Sequence, residues 1–531
     1  MTRLSCVTAL AALLGCSSPR LSISTGANDF GALAVSAASP EVTFTVTNSG
    51  SGQAGAPQVS LTGADAADFV IAGKSCAVAL PAGASCTIGV HFAPATTGGK
   101  SASLQVTAEP GGSAAAALTG KGLQHVSLKT LALAGGSGNV TDDAGGATCA
   151  GACDRGYDAA SQVTFTAHPD AGSVFDWTGD CTGSGATCGP VSMSAARHVT
   201  ARFRKPLNLM FATSQALQIP FAATAAAAQT AADAFCMSNA AAGELPGTYR
   251  AWLSTSTQNA LDKLGGSDGW VRRDGQPFTD RATLAAGAFY FPGDLDEAGR
   301  LPVAGSPLAA TGTFIDGSTD GRGSCTDWTS TSGTFVAGDP SEAYWSAYFV
   351  QPCSGKYRLL CFETGHSAAS VRPSATGRIA FASTGTLTPG GGRAAADQLC
   401  QGEAQSAGLT GQFLALVSTT DAAAASRFGP GAPFVRVDGV QLAASPADLD
   451  KPNLPSLLDV SATGEHLTGQ NLAWSGSSLP GEAGSAATTC LDWTSTAGTG
   501  TFGDIYLSSV WFGQFAQETC ASNARVFCLQ H

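Results

Sequence analysis

Four cysteines recur in one order in the second half of the chain: Cys236, Cys325, Cys353 and Cys361, then Cys400, Cys490, Cys520 and Cys528. The sets are offset by 164, 165, 167 and 167 residues, and the last two cysteines of each stand eight residues apart. Cysteine spacing kept in two copies is the trace of a disulfide framework, so two similar stapled domains are expected in tandem, in an oxidising compartment. A chain of 531 residues has room for roughly three to five domains, each with its own core.

Charged residues make up only 12% of the chain, but 44% are hydrophobic, which excludes a disordered polyelectrolyte. The 66 glycines fit short strands joined by many turns. A net charge of −12 with no Lys/Arg cluster excludes nucleic acid as an expected partner, because such binding needs a basic footprint.

Arg3 precedes an apolar run over residues 7–14 that ends at Gly15 and Cys16. That run is too short to span a bilayer, which takes about 20 residues, and reads as a secretion signal. Leu13-Leu14-Gly15-Cys16 resembles the lipobox of bacterial lipoproteins. The resemblance implies a signal peptide over 1–15, lipidation of Cys16 on a tether over 16–20, and a membrane partner reached through that lipid. Of sixteen cysteines, setting aside Cys6 in the signal and Cys16 leaves fourteen, an even number that permits seven disulfides. The expected location is exported and membrane-anchored, at the outer membrane or cell surface.

Residues 21–123 read as an all-β sandwich. Val42, Phe44 and Val46 alternate with threonines before an Asn48-Ser49-Gly50 turn, and further strands are expected at 59–61, 87–92 and 102–106. Asp29-Phe30-Gly31, Ala67-Asp68-Phe69, Ser85-Cys86-Thr87-Ile88 and His91-Phe92-Ala93-Pro94 resemble the immunoglobulin-like choice-of-anchor D domains, with Cys76–Cys86 as a short bridge. Residues 124–205 read as a small β module. Asp176-Trp177-Thr178-Gly179-Asp180-Cys181 and Met193-Ser194-Ala195-Ala196-Arg197 resemble divergent InlB B-type repeats. Here the cysteine spacings fit Cys149–Cys153 and Cys181–Cys188 disulfides, with a four-thiolate zinc site as the alternative.

The tandem copies span 207–363 and 377–531, joined by a linker at 364–376. Each opens with an apolar strand (207–213, 378–383), followed by an alanine-rich helix carrying the first cysteine (225–241, 393–407). Gly243 and Gly408 stop these helices. Apolar stretches follow at 249–255 and 413–419, then short helices at 258–264 and 422–428, then Asp274-Gly275 and Asp438-Gly439 turns after apolar strands.

This order, with Cys325-Thr326-Asp327-Trp328 and Cys490-Leu491-Asp492-Trp493, resembles the DUF1554 domains of bacterial lipoproteins, of endostatin/C-type-lectin-like fold. The fold class is therefore multidomain: all-β N-terminal modules, then two α+β lectin-like domains. The resemblance implies the bridges Cys236–Cys361, Cys325–Cys353, Cys400–Cys528 and Cys490–Cys520.

Lectins of that fold hold calcium with loop carboxylates and amides. Asp448, Asp450 and Asn453 are the calcium candidates, while Asp294, Asp296 and Glu297 in the first copy lie further from their Asp-Gly turn. Otherwise no cofactor is expected. The repeated pairs Asp327, Trp328 and Asp492, Trp493 are candidates for a ligand face, because sugars stack on aromatic rings and bond to carboxylates. Their alternative role is core filling by the Trp and loop bonding by the Asp. The histidines are scattered, and Gly265-Gly266-Ser267-Asp268-Gly269 lacks the strand-before, helix-after context of a nucleophile elbow. No catalytic residue is assigned and no enzyme is expected, although paired acids of a hydrolase are not visible in sequence. The expectation is noncovalent binding or adhesion to an extracellular glycan or protein, with a structural envelope protein as the competing class.

Overall fold

The computed structural model describes residues 18–146, 148–301, 308–367, 372–451, 453–509, 511–513 and 517–531. The signal segment and Cys16 lie outside the described residues. Two compact units form: the chain up to Ala132 with Ser137–Phe203, and Leu133–Gly136 with Arg204–His531. Among the described residues no helix is long and apolar enough to cross a membrane.

In the first unit, alternation builds a sandwich. The strand Val42–Asn48 buries Phe44 and Val46 completely and turns its threonines outward. It lies between Leu21–Ile23 and Ser85–Phe92, with Phe69–Lys74 beyond, in a four-stranded antiparallel sheet. Leu104, Val106, Ala116 and Leu118 close the core from a second sheet containing Gly98–Ala108 and Gly112–Leu133. Asn48 is buried at the strand end, and its amide donates to the carbonyls of Gly52, Leu80 and Pro81, so no polar cost is left unmet.

The expected boundary at 123/124 does not separate two bodies. The strand Gly112–Leu133 is 22 residues long and runs through it. Its first half pairs with Gly98–Ala108, while its second half pairs with Ala152–Tyr157 and contributes Val126 and Leu128 to another core. That core holds Trp177, whose indole N–H donates to the Gly185 carbonyl at 2.9 Å. Pairing continued without a break, so two cores share one strand.

In the second unit the two copies repeat one sheet. In the first copy the strand order is Thr248–Ala251, Leu360–Thr364, Asn208–Ala212, Trp270–Val271, Pro277–Thr279. The second copy repeats it with Phe413–Ala415, Arg525–Gln530, Arg378–Ala382, Phe434–Arg436 and Gln441–Ala443. The opening strand of each copy lies antiparallel to its closing strand and parallel to the strand before the Asp-Gly turn.

The helix Ala225–Ala242 starts at Thr224, whose side chain accepts the Ala227 N–H, and it ends at Gly243. Ala228, Ala232, Cys236 and Ala240 share its buried face, and small side chains at that spacing let the helix approach the sheet closely. Gly392–Ser406 does the same with Ala396, Cys400 and Ala404.

Seven disulfides staple the described chain. Cys76–Cys86, Cys149–Cys153 and Cys181–Cys188 lie in the first unit. In the second, Cys236–Cys361 and Cys400–Cys528 tie each long helix to the closing strand, while Cys325–Cys353 and Cys490–Cys520 tie later loops. With its four cysteines paired, the segment 149–188 has no thiolates left for a zinc site.

The copies also join each other. Glu342 bridges Leu507 antiparallel, the Ala343 N–H donates to the Tyr506 carbonyl at 3.1 Å, and the Ser508 hydroxyl donates to the Ser341 carbonyl at 3.2 Å. These contacts are reciprocal between matching positions, the pattern of a local two-fold axis. Leu457 of the second copy sits in the core of the first, and Ala343 packs against both cores. Of the linker 364–376, residues 368–371 lie outside the described residues. Beyond them Arg372 pairs with Asp280 at 3.3 Å, and the Ala375 N–H donates to the Gly439 carbonyl, so this stretch is tied to both copies.

Candidate functional site

The two Cys-x-Asp-Trp motifs form the same unusual turn. Cys325, Thr326, Asp327 and Trp328 have φ of 53°, 51°, 54° and 67°, and Cys490, Leu491, Asp492 and Trp493 have 50°, 52°, 53° and 67°. Four successive non-glycine residues in the left-handed region cost roughly 1–2 kcal/mol each. Surrounding bonds hold the turn in place. The cysteine is bridged, and the preceding Ser324 or Thr489 accepts the Asp N–H. The Asp327 carboxylate accepts the N–H and hydroxyl of Ser256 at 2.7 and 2.6 Å, and Asp492 does the same with Thr420 at 2.7 and 2.8 Å. Burial alone would raise both carboxyls, but these hydrogen bonds outweigh it and hold Asp327 and Asp492 below the usual range.

The expected ligand face is corrected for its aromatic half. Trp328 and Trp493 are completely buried, and their indole N–H groups donate to the Ser254 and Ser418 carbonyls at 2.8 and 2.9 Å. Each fills the core beside its disulfide, so neither presents a ring to a ligand. The paired aspartates, half-buried, close loops.

The calcium candidates hold separate local partners. Asp448 accepts the Ser445 hydroxyl at 2.9 Å and pairs with Lys451 at 2.7 Å. Asp450 accepts the Gly481 N–H at 2.7 Å, and Asn453 forms a backbone bridge with Ser509. In the first copy Asp296 accepts the N–H groups of Ala298 and Arg300, and Glu297 accepts the N–H and the hydroxyl of Ser214. Among the described residues no three His, Cys, Asp or Glu side chains gather as a metal-binding group. Ser267 is buried and its hydroxyl accepts the Gly365 N–H at 3.2 Å.

A patch that sequence reasoning missed lies beside the junction of the copies. Tyr344 and Tyr348 stack at 5.4 Å with rings 3° from parallel, Tyr348 abuts Phe349 at 3.8 Å, and Tyr344 meets Tyr506 edge-on at 5.4 Å. Tyr344 and Phe349 are 37% and 49% exposed, unusual for aromatic rings in this chain.

Beside the rings lie carboxylates. Asp339 and Asp504 are buried, each closing a turn onto the amide two residues on. The Glu342 N–H donates to the Asp339 carbonyl at 3.1 Å, and the charges acting on the Glu342 carboxyl are Asp339 and Asp504, both negative. Burial first, then these two aspartates, push Glu342 up to about 7, and burial also raises Asp504. The available signal was aromatic density: Tyr344, Trp345, Tyr348 and Phe349 fall within six residues of a chain with only seven tyrosines. A separate cleft of about 640 Å³ is lined by residues including Lys205, Leu207, Gln276, Phe291 and Gln441.

No curated protein matches the chain. Among solved structures, it is similar to the ASH/PapD-like domain 7 of human CEP192, with 15% identity over 23% of this chain and 98% of that one, at a TM-score of 0.16. It is similar to the E. coli chaperone DraB, with 10% identity over 32% of this chain and 96% of that one, at a TM-score of 0.16. The secreted serine protease VesC of Vibrio cholerae shares 14% identity over 33% of this chain and 41% of that one, at a TM-score of 0.16. Residues 134–206 match the Divergent InlB B-repeat domain, the kind of repeat expected there, although the match starts ten residues later than the expected module. With seven disulfides, that repeat points to an exported protein of surface or adhesion type.

Proposed function

We propose that this chain is a lipid-anchored surface protein that binds an extracellular glycan or protein noncovalently through its tandem copies. In this reading Cys16 carries the lipid, the choice-of-anchor D-like and InlB-type modules act as spacers, and the copies are DUF1554-type, C-type-lectin-like domains. The observation that carries it is the repeated scaffold: two copies share sheet order, paired bridges and a left-handed turn. Yet at one matching position they carry an exposed Leu301 in the first and His466, bonded to Asp459, in the second. A scaffold held constant while its surface diverges is how binding modules acquire ligands, and two joined sites add avidity where geometry allows.

A structural envelope role is the second reading, favoured by the complete burial of both motif tryptophans. Purified protein on an array of glycans and extracellular proteins, with and without a chelator, decides between them. Retention on at least one ligand, abolished by reduction of the disulfides, is the expected result. Silence across the array would leave the structural role.

A further inference from the structure

The strand Phe349–Pro352 is an edge. It pairs with Thr334–Gly338 from Ala337 opposite Phe349 to Thr334 opposite Pro352, and no strand among the described residues pairs with its other side. An open edge offers backbone N–H and C=O groups to another chain, and proteins usually guard such edges with charge. This one carries no charge: its residues are Phe, Val, Gln and Pro, with Phe349 49% and Val350 47% exposed. Pro352 closes the end of the edge, having no N–H and a carbonyl that accepts the Tyr357 hydroxyl at 3.0 Å, so the open backbone is that of Phe349, Val350 and Gln351. The Tyr344–Tyr348 stack continues from Phe349, and Glu342, Asp339 and Asp504 lie beside it. Stacked tyrosine faces attract cations. Glu342, tied by its N–H to the Asp339 carbonyl at 3.1 Å and by a backbone bridge to Leu507, sets a partly exposed carboxylate two residues before Tyr344. The complementary occupant is therefore an organic cation.

We propose that this edge is a docking site for an extended, lysine- or arginine-bearing segment of a partner protein. The partner backbone adds beside residues 349–351, and its cationic side chain lies along the tyrosine rings toward Glu342. The site rests on the reading of the tandem copies as a noncovalent binding module, and it names the partner.

The probe is a fluorescein-labelled peptide of alternating Lys and Thr, titrated into the full exported chain at low salt and read by anisotropy. An alternating Glu/Thr peptide and a backbone N-methylated Lys/Thr peptide serve as comparisons. The Lys/Thr peptide is expected to bind and the Glu/Thr peptide to stay free. N-methylation, Glu342→Gln and Tyr348→Ala should each weaken binding by about fivefold or more, the scale of a lost cation–π or charge contact. Equal binding of the two charge types, or full binding to Glu342→Gln, overturns the site. If Tyr348→Ala fails to fold, the isosteric Glu342→Gln decides alone. Retention on the glycan and protein array with a silent Lys/Thr peptide overturns the docking site and leaves the binding module standing; silence on both overturns both.

Discussion

The two copies place the same aspartate in opposite electrostatic settings. Asp294 and Asp459 each stand two residues before a matching turn, closed by Asp296 onto Arg300 and by Ser461 onto Glu465. Each faces an arginine two residues before the Asp-Gly turn's aspartate, Arg272 at 3.5 Å and Arg436 at 3.2 Å. In the second copy His466 adds a bond to Asp459 at 2.8 Å, whereas the matching position in the first is Leu301, which is exposed. Burial pushes Asp294 up to about 6 against the pull of Arg272, and its Oδ1 has no hydrogen bond. Burial acts on Asp459 too, but His466 and Arg436 outweigh it and hold the carboxyl below the usual range. Duplication preserved staples and turns and left the charges around them free to diverge.

Removing a long bridge should have the largest effect. Cys236→Ser with Cys361→Ser, or Cys400→Ser with Cys528→Ser, opens a loop of 125 or 128 residues. The expected cost is roughly 4–5 kcal/mol. Because Leu457 ties the copies together, thermal unfolding followed by limited proteolysis should show both copies loosened by either pair of substitutions. Protection of the untouched copy would break the comparison, making the copies independent.

The aspartates should part next. Asp459→Asn leaves the completely buried Arg436 short of a partner and should cost about 3 kcal/mol near neutral pH, as for other broken buried pairs. Asp459 is held low, so its contribution is present above the ordinary carboxylate value and fades as pH falls below it. Asp294 is raised, so its contribution is present below the ordinary value and fades as pH rises through about 6. Asp294→Asn should therefore gain about 1 kcal/mol at slightly alkaline pH and little in acid. Urea midpoints at two pH values check both signs.

The smallest effect is expected where the copies agree. Asp327→Ala and Asp492→Ala each remove half-exposed bonds that hold the left-handed turn, and each should cost about 1 kcal/mol. Unequal losses in denaturant titrations would show that the turn is supported differently in the two copies.

Much of the scaffold was legible because it is written in local patterns. Cysteine spacing marked the duplication, and the helix expected at 393–407 forms over Gly392–Ser406 because alanines, a flanking glycine and one buried face act over short range. The pairing implied for the eight tandem cysteines coincides with the bridges in the structure. The left-handed turn was not legible, since Thr326 and Leu491 carry no mark of that conformation. Its support comes from Ser256, Thr420 and the bridges, distant in sequence. The strand Gly112–Leu133 runs through the boundary expected at 123/124, because pairing with Gly98–Ala108 on one half and Ala152–Tyr157 on the other carries it across, which no local pattern marks. Loop carboxylates such as Asp448 and Asp450 look the same in sequence whether they bind amides, a lysine or a metal. The aromatic patch shows in sequence only as a density of rings at 344–349, and its contact with Tyr506 depends on the meeting of the copies, which no local pattern encodes.

The central claim is one scaffold stapled twice in the same way. Peptide mapping of the unreduced protein by mass spectrometry tests it most directly. The account predicts linked peptides for Cys236–Cys361 and Cys325–Cys353 in one copy and for Cys400–Cys528 and Cys490–Cys520 in the other, with no free thiol among them. Free thiols in either set, or a bridge joining one copy to the other, would contradict it.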